Sequence, residues 1–64
     1  MVSKAELSSL ETAIRELTER ITAAADELMG TSGEDVAIDL YDVERSLRTA
    51  QRRISKAAIS LVEN

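Results

Sequence analysis

Large apolar residues recur along the first half of the chain at alternating steps of three and four positions. Polar and charged residues separate them, and Ala24 fills the one step at which a larger side chain is missing. The series is Leu7, Leu10, Ile14, Leu17, Ile21, Ala24 and Leu28. Such steps place side chains on one stripe of an α-helix, as in the heptad repeat of coiled coils. The pattern predicts a first helix over residues 4–29.

The ends of this first helix carry recognisable signals. Ser3 and Glu6 have the spacing of a capping box, in which the serine side chain accepts a hydrogen bond from the backbone of the first turn. Both glycines of the chain, Gly30 and Gly33, follow the apolar series closely. We expect Gly30 to adopt the left-handed conformation with which helices often end. Residues 30–33 are therefore predicted to form a turn.

A second series with the same spacing follows this turn. It consists of Val36, Leu40, Val43, Leu47, Ala50, Ile54, Ala57 and Leu61. The series predicts a second helix over residues 34–62. Ser32 and Asp35 have the spacing of a second capping box at its start.

Two helices of similar length joined by a short turn are expected to fold back on each other. We therefore predict an all-α fold, a coiled-coil-like antiparallel two-helix hairpin that forms a single domain over residues 1–64. In this arrangement small residues face large ones, as close packing requires. The predicted layers place Ala24 opposite Leu40, Ala50 opposite Ile14 and Ala57 opposite Leu7.

The hairpin is too small to bury a sizeable core by itself. With 64 residues, a single core rarely contributes more than about 3–5 kcal/mol. We expect the chain to form a homodimer, in which two hairpins build a four-helix bundle. The predicted self-association seam consists of Leu7, Leu10, Ile14, Leu17, Ile21, Leu28, Leu40, Val43, Leu47, Ile54 and Leu61.

Composition narrows the chemistry available to the chain. It has no Cys, no His and one aromatic residue, Tyr41, so thiol or imidazole catalysis and metal sites of Cys or His are excluded. No glycine-rich phosphate loop is present, and a two-helix hairpin offers no deep pocket. We expect a protein that is not an enzyme, has no cofactor or metal and binds no small-molecule substrate. Without an apolar run of about 20 residues or a leader sequence, we expect no membrane association and a cytoplasmic location.

A second regular series lies on another side of the second helix, and we call it the helix-2 stripe. It consists of Ile38, Tyr41, Arg45, Arg48, Arg52, Ser55, Ile59 and Val62. Tyr, Ile and Arg are typical of protein interfaces, which favours a docking surface for a partner protein. Two alternatives stay open: scattered surface residues with solvated arginines, or the edge of a wider bundle core.

Charge is distributed unevenly along the predicted hairpin. Acidic residues cluster around the turn at Asp26, Glu27, Glu34, Asp35, Asp39 and Asp42. Because acidic residues favour helix starts and no calcium-loop motif is present, this cluster is interpreted as helix stabilisation and solubility, not as a cation site. The net charge is −4.

These observations favour a non-enzymatic protein–protein interaction module, such as a small adaptor, regulator or chaperone-like protein. Its expected partners are a second copy of itself and a protein bound on the helix-2 stripe through Ile38, Tyr41, Arg45, Arg48, Arg52, Ile59 and Val62. The alternative is a dimeric regulator that binds an RNA hairpin through Arg45, Arg48, Arg52, Arg53 and Lys56. The acidic net charge and the single aromatic ring disfavour nucleic acid. A third alternative is a structural coiled-coil piece of a larger assembly.

Overall fold

The computed structural model describes residues 1–62 and shows two α-helices that pack against each other. Helix α1 spans Lys4–Leu28, and helix α2 spans Glu34–Ser60. They contact each other extensively, and no strand occurs within the described residues. The predicted all-α hairpin is confirmed, with α1 ending one residue and α2 two residues earlier than the apolar pattern predicted.

Helix α1 begins and ends as its sequence signals predict. The Ser3 side chain accepts a hydrogen bond of 3.1 Å from the backbone N–H of Glu6. At the other end the Met29 N–H donates to the Ala25 carbonyl over 3.2 Å, and Gly30 follows with a φ of 76°. This left-handed backbone turns the chain away from α1, which explains the glycine at this position.

The connection to α2 depends on Thr31, and the predicted Ser32–Asp35 capping box is wrong. The residue that precedes α2 is Gly33, whose lack of a side chain leaves the helix without a side-chain cap. The Thr31 hydroxyl instead donates to the Leu28 carbonyl over 2.6 Å and accepts from the Gly33 N–H over 3.0 Å. Thr31 thus ties the end of α1 to the start of α2. A Cβ on Gly33 would lie 2.9 Å from Leu28 Cδ2, so a larger residue would force the leucine to move.

The two helices meet along a line of small residues. Within residues 1–62 only Thr18, Ala25 and Ala37 are buried. The Thr18 hydroxyl donates to the Ile14 carbonyl over 2.7 Å, so this buried polar group is satisfied inside its own helix. Half-buried residues continue the line on both helices, namely Leu7, Glu11, Ile14, Ile21, Leu28, Leu40, Glu44, Leu47, Gln51, Ile54, Ala58 and Leu61. We call this series the contact line.

The contact line contains eight of the eleven residues of the predicted seam, all except Leu10, Leu17 and Val43. Leu10, Leu17, Val36 and Val43 stay between 42% and 52% exposed, and Ala24 and Ala57 are exposed. The layers predicted to bury Ala24 against Leu40 and Ala57 against Leu7 are therefore wrong. In each helix the position that follows these residues faces the other helix instead. The physical reason is size, because Thr18, Ala25 and Ala37 let the helix backbones approach more closely than larger side chains would.

Gly30→Ala is expected to destabilise the hairpin. The cost is about 1–2 kcal/mol, because a Cβ in the left-handed region meets its own backbone. Among residues 1–62, no atom beyond Gly30 and its two chain neighbours lies within 4 Å of a Cβ built on Gly30, so the loss would be conformational. Urea unfolding followed by circular dichroism at one protein concentration measures it. Gly30→Asn is the control and should lose less, since Asn tolerates this conformation. An alanine variant as stable as the parent would contradict the role of Gly30.

Candidate protein-docking surfaces

The contact line divides the hairpin into two long sides. On α1, Leu17 precedes the buried Thr18 by one position and Thr22 follows it by four, which places them on opposite sides of Thr18. On α2, Val43 precedes the half-buried Glu44 in the same way. Because the helices are antiparallel, Val43 lies on the same side of the hairpin as Leu17.

The side that contains Thr22 is polar and links the two helices. The Thr22 hydroxyl donates to the Glu44 carboxylate, and Arg48 lies 3.3 Å from the same carboxylate. Nearer the turn, the Tyr41 hydroxyl donates to Asp26 Oδ1 over 2.6 Å. These two cross-helix hydrogen bonds set the register between α1 and α2.

The same contacts change the acidity of two of these groups. The Thr22 hydrogen bond, assisted by Arg48, lowers the pKa of Glu44 below its ordinary 4.5 despite partial desolvation. The hydrogen bond to Asp26 raises the pKa of Tyr41 above 10.0, since loss of the phenol proton would place two negative charges together. Both shifts favour the protonation states that hold the hairpin together near neutral pH.

The helix-2 stripe is accessible, but its apolar residues are dispersed. Ile38 is 54% exposed, and Ile59 and Val62 are each 81% exposed. Ile38 and Ile59 lie about 30 Å apart along the helix, at 1.5 Å per residue, and the arginines of the stripe lie between them. Tyr41 is half-buried and uses its hydroxyl inside the hairpin. The stripe thus offers separate anchor points, and docking there stays a prediction.

The basic residues of α2 fall into two groups: those with a polar side-chain partner and those without an ion pair in the part of the chain that the structure describes. Arg45 lies 3.6 Å from Asp42, and Arg48 lies 3.3 Å from Glu44, while Arg52 donates to the Thr49 hydroxyl over 3.3 Å. Arg53 and Lys56 have no ion-pair partner within residues 1–62. The set predicted for nucleic-acid binding is therefore partly neutralised by neighbouring carboxylates.

The side of the hairpin that contains Leu17 is apolar along its length. We call this surface the apolar face, and it consists of Leu10, Leu17, Ala24, Val36, Val43, Ala50 and Ala57. Its members recur every seven residues on each helix, about 10.5 Å apart. Half-buried Leu and Ile residues of the contact line fill the space between the two rows. The apolar pattern already contained these residues, with Leu10, Leu17 and Val43 in the predicted self-association seam, but it did not separate them from the residues that face the other helix. The signal available was the small or polar residue that follows each of them.

Comparison with known proteins identifies no relative of this chain. It matches no protein-family model, no curated protein and no solved structure. Neither helix has an apolar stretch, within the part of the chain that the structure describes, long enough to cross a bilayer. No group of three or more acidic side chains within residues 1–62 is placed to hold a metal ion.

Tyr41 should ionise only above its ordinary pKa of 10.0, and Asp26→Asn should bring that pKa back towards the ordinary value. Because the phenol is favoured in the folded state, its contribution to stability is present below pH 10 and lost as the pH rises through the raised pKa. Absorbance titration of the phenolate measures this directly, since the chain has one Tyr and no Trp. Asp35→Asn is a matched control, since Asp35 is also exposed but does not contribute to the Tyr41 shift. Equal pKa values in the parent and the Asp26→Asn variant would exclude the Tyr41–Asp26 bond.

Glu44 should titrate below 4.5, and Thr22→Val should raise its pKa. The carboxylate form is favoured in the folded state, so its contribution to stability is present above the ordinary pKa and lost as the pH falls through the lowered one. Carboxyl chemical shifts followed by NMR across acidic pH report the pKa of this single group. Thr12→Val is the control, since Thr12 lies on α1 away from Glu44. If Thr22→Val leaves the Glu44 titration unchanged, the hydroxyl is not the cause.

Proposed function

We propose that this chain is a non-enzymatic protein–protein interaction module of the adaptor, regulator or chaperone-like kind. The apolar face is its principal docking surface, and the helix-2 stripe is a second surface that points away from it. The observation that supports this proposal is the exposure of Leu10, Leu17, Val36 and Val43, each between 42% and 52%, on one side of the hairpin.

Burial of the apolar face would stabilise the hairpin substantially. Complete burial of an aliphatic side chain contributes about 1.5–3 kcal/mol, so four half-exposed ones represent a few kcal/mol in total. The hairpin itself buries only Thr18, Ala25 and Ala37 among residues 1–62. Continuous apolar surfaces on small proteins mark interaction sites. A partner on this face would supply the core that the hairpin lacks.

The two surfaces can be occupied at the same time. The helix-2 stripe includes Tyr41 and Arg48, which lie on the polar side with Asp26 and Glu44. The apolar face lies across the contact line from them. A module that associates through the apolar face would therefore keep the helix-2 stripe available to a different protein.

Leu17→Ala with Val43→Ala should remove association through the apolar face while retaining helical structure, because Ala favours helices and neither residue is buried in the hairpin. The measurement is affinity purification of the tagged chain from its own cells, with quantification of every co-purifying protein, including untagged copies of the chain. Circular dichroism on the same variant reports helicity.

Two matched variants show which surface is responsible for a loss of co-purifying proteins. Ile38→Ser with Ile59→Ser alters the helix-2 stripe and should keep self-association while losing any protein bound there. Ser9→Gln with Ser32→Gln changes exposed polar residues outside both surfaces and should lose nothing. If the apolar-face variant keeps all the co-purifying proteins of the parent, that face is not the principal docking surface.

A further inference from the structure

We infer that the apolar face is covered by a second copy of this chain, with the turns of the two hairpins at opposite ends of a four-helix bundle. This inference rests on the proposed use of the apolar face for docking. It adds the identity of the occupant and its orientation, which the exposure of the face alone does not determine.

The apolar face is large enough for a stable dimer. Helix α2 has 27 residues, so it is about 40 Å long, and two helices side by side are about 20 Å wide. One long side of the hairpin therefore measures roughly 800 Å², which is what each partner of a standard protein interface buries.

The apolar face is also complementary to itself in size. A two-fold axis across the middle of the hairpin passes beside Leu17 on α1 and near Ser46 on α2. Rotation about this axis lays each helix antiparallel on the same helix of the second copy. The resulting layers put Val36 against Ala57 of the second copy, Val43 against Ala50, Leu10 against Ala24, and Leu17 against its own equivalent. Large residues meet small ones in every layer except that on the axis, as in a well-packed core.

Size alone would also permit the two turns to lie at the same end, with α1 over α2 of the second copy. Charge distinguishes the two arrangements. Residues 22–42 contain six acidic side chains and no basic one, whereas residues 1–21 and 43–64 contain eight basic and six acidic side chains. The part of the chain around the turn thus has a charge of −6 and the remainder +2. Turns at the same end would bring the two acidic halves together, whereas turns at opposite ends place the acidic half of each α2 beside the basic half of the other α2.

One pair of residues at the border of the apolar face fits this orientation. Asp39 and Arg53 are exposed on α2, on the same side as Val36 and Val43, and Arg53 has no ion-pair partner within residues 1–62. They lie about 21 Å apart on one helix, so they cannot pair within a chain. With the turns opposed, Asp39 of each copy faces Arg53 of the other. Along α1, Glu6 faces Glu27 of the second copy, so the ion pairs form along α2 only.

Disulfide cross-linking tests both the occupant and its orientation, because the chain contains no Cys. Val36→Cys and Ala57→Cys variants, one of them mass-tagged, are mixed and oxidised. We expect a mixed disulfide as the main product, together with a mass of twice 7.0 kDa for the parent by light scattering. Leu10→Cys mixed with Ala57→Cys is the matched control. It should cross-link only at background, since these positions lie about 25 Å or more apart with the turns opposed.

A double-mutant cycle gives an independent readout. Asp39→Lys and Arg53→Glu should each weaken the dimer several-fold in Kd, because each removes two exposed ion pairs per dimer and creates like-charge contacts. The double variant should recover most of that loss, since it restores both pairs with their signs exchanged. Additive losses in the double variant would contradict the contact.

The remaining outcomes overturn distinct parts of the inference. Efficient cross-linking of Leu10→Cys to Ala57→Cys would place the turns at the same end. A parent that stays monomeric, with no disulfide above background, would exclude a second copy as the occupant. If the apolar-face variant still lost a different co-purifying protein, the proposed function would stand while the homodimer failed.

Discussion

The two helices approach each other along small side chains, and this close approach determines where the larger apolar residues lie. Ala25 and Ala37 are fully buried and Thr18 almost so, while each Leu and Ile of the contact line is only half-buried. A seam of leucines would have kept the helices further apart and filled the space between them. With small residues at the contact, the larger side chains project beside it. The hairpin thus holds its shape with little apolar burial of its own.

The two sides of the contact line contribute differently to the structure. On the polar side, Thr22, Glu44, Tyr41 and Asp26 form cross-helix hydrogen bonds that depend on exact pairing. Hydrogen bonds are directional, so this side fixes the register of the helices. Within residues 1–62 the apolar side has no cross-helix hydrogen bond, and its rows can meet another surface. The register of the two helices and the surface available for binding therefore depend on different residues.

Sequence reasoning predicted the fold well because the fold depends on local signals. The apolar periodicity located both helices, Ser3 located the start of α1, and Gly30 located its end. The facing residues were harder to predict, since the contact line keeps every second residue of the heptad pattern and replaces each of the others by the residue that follows it. Hydrophobicity favours Leu17 over Thr18 as a core residue, whereas the distance between the backbones favours Thr18. Only the packed structure decides between these two effects.

The contacts at the start of α2 were also hard to predict from the sequence. Ser32 and Asp35 have the spacing of a capping box, but the chain uses Thr31, whose hydroxyl reaches both Leu28 and Gly33. The choice depends on how the backbone leaves Gly30, which spacing alone does not specify. What binds to the candidate docking surfaces is even harder to predict from the sequence, because periodicity shows which residues share a face and not what covers that face.

The exposure of the apolar face affects which positions of this chain would tolerate substitution during evolution. In most small domains the buried residues are held constant by selection and the exposed ones drift. Here Leu17 and Val43, open to solvent in the hairpin, would be under constraint as well as the small contact residues Ala25 and Ala37 if the apolar face is covered by a partner. Under that proposal, solvent exposure in the isolated chain would be a poor guide to mutational tolerance, and related chains would be recognised by apolar residues on their surface.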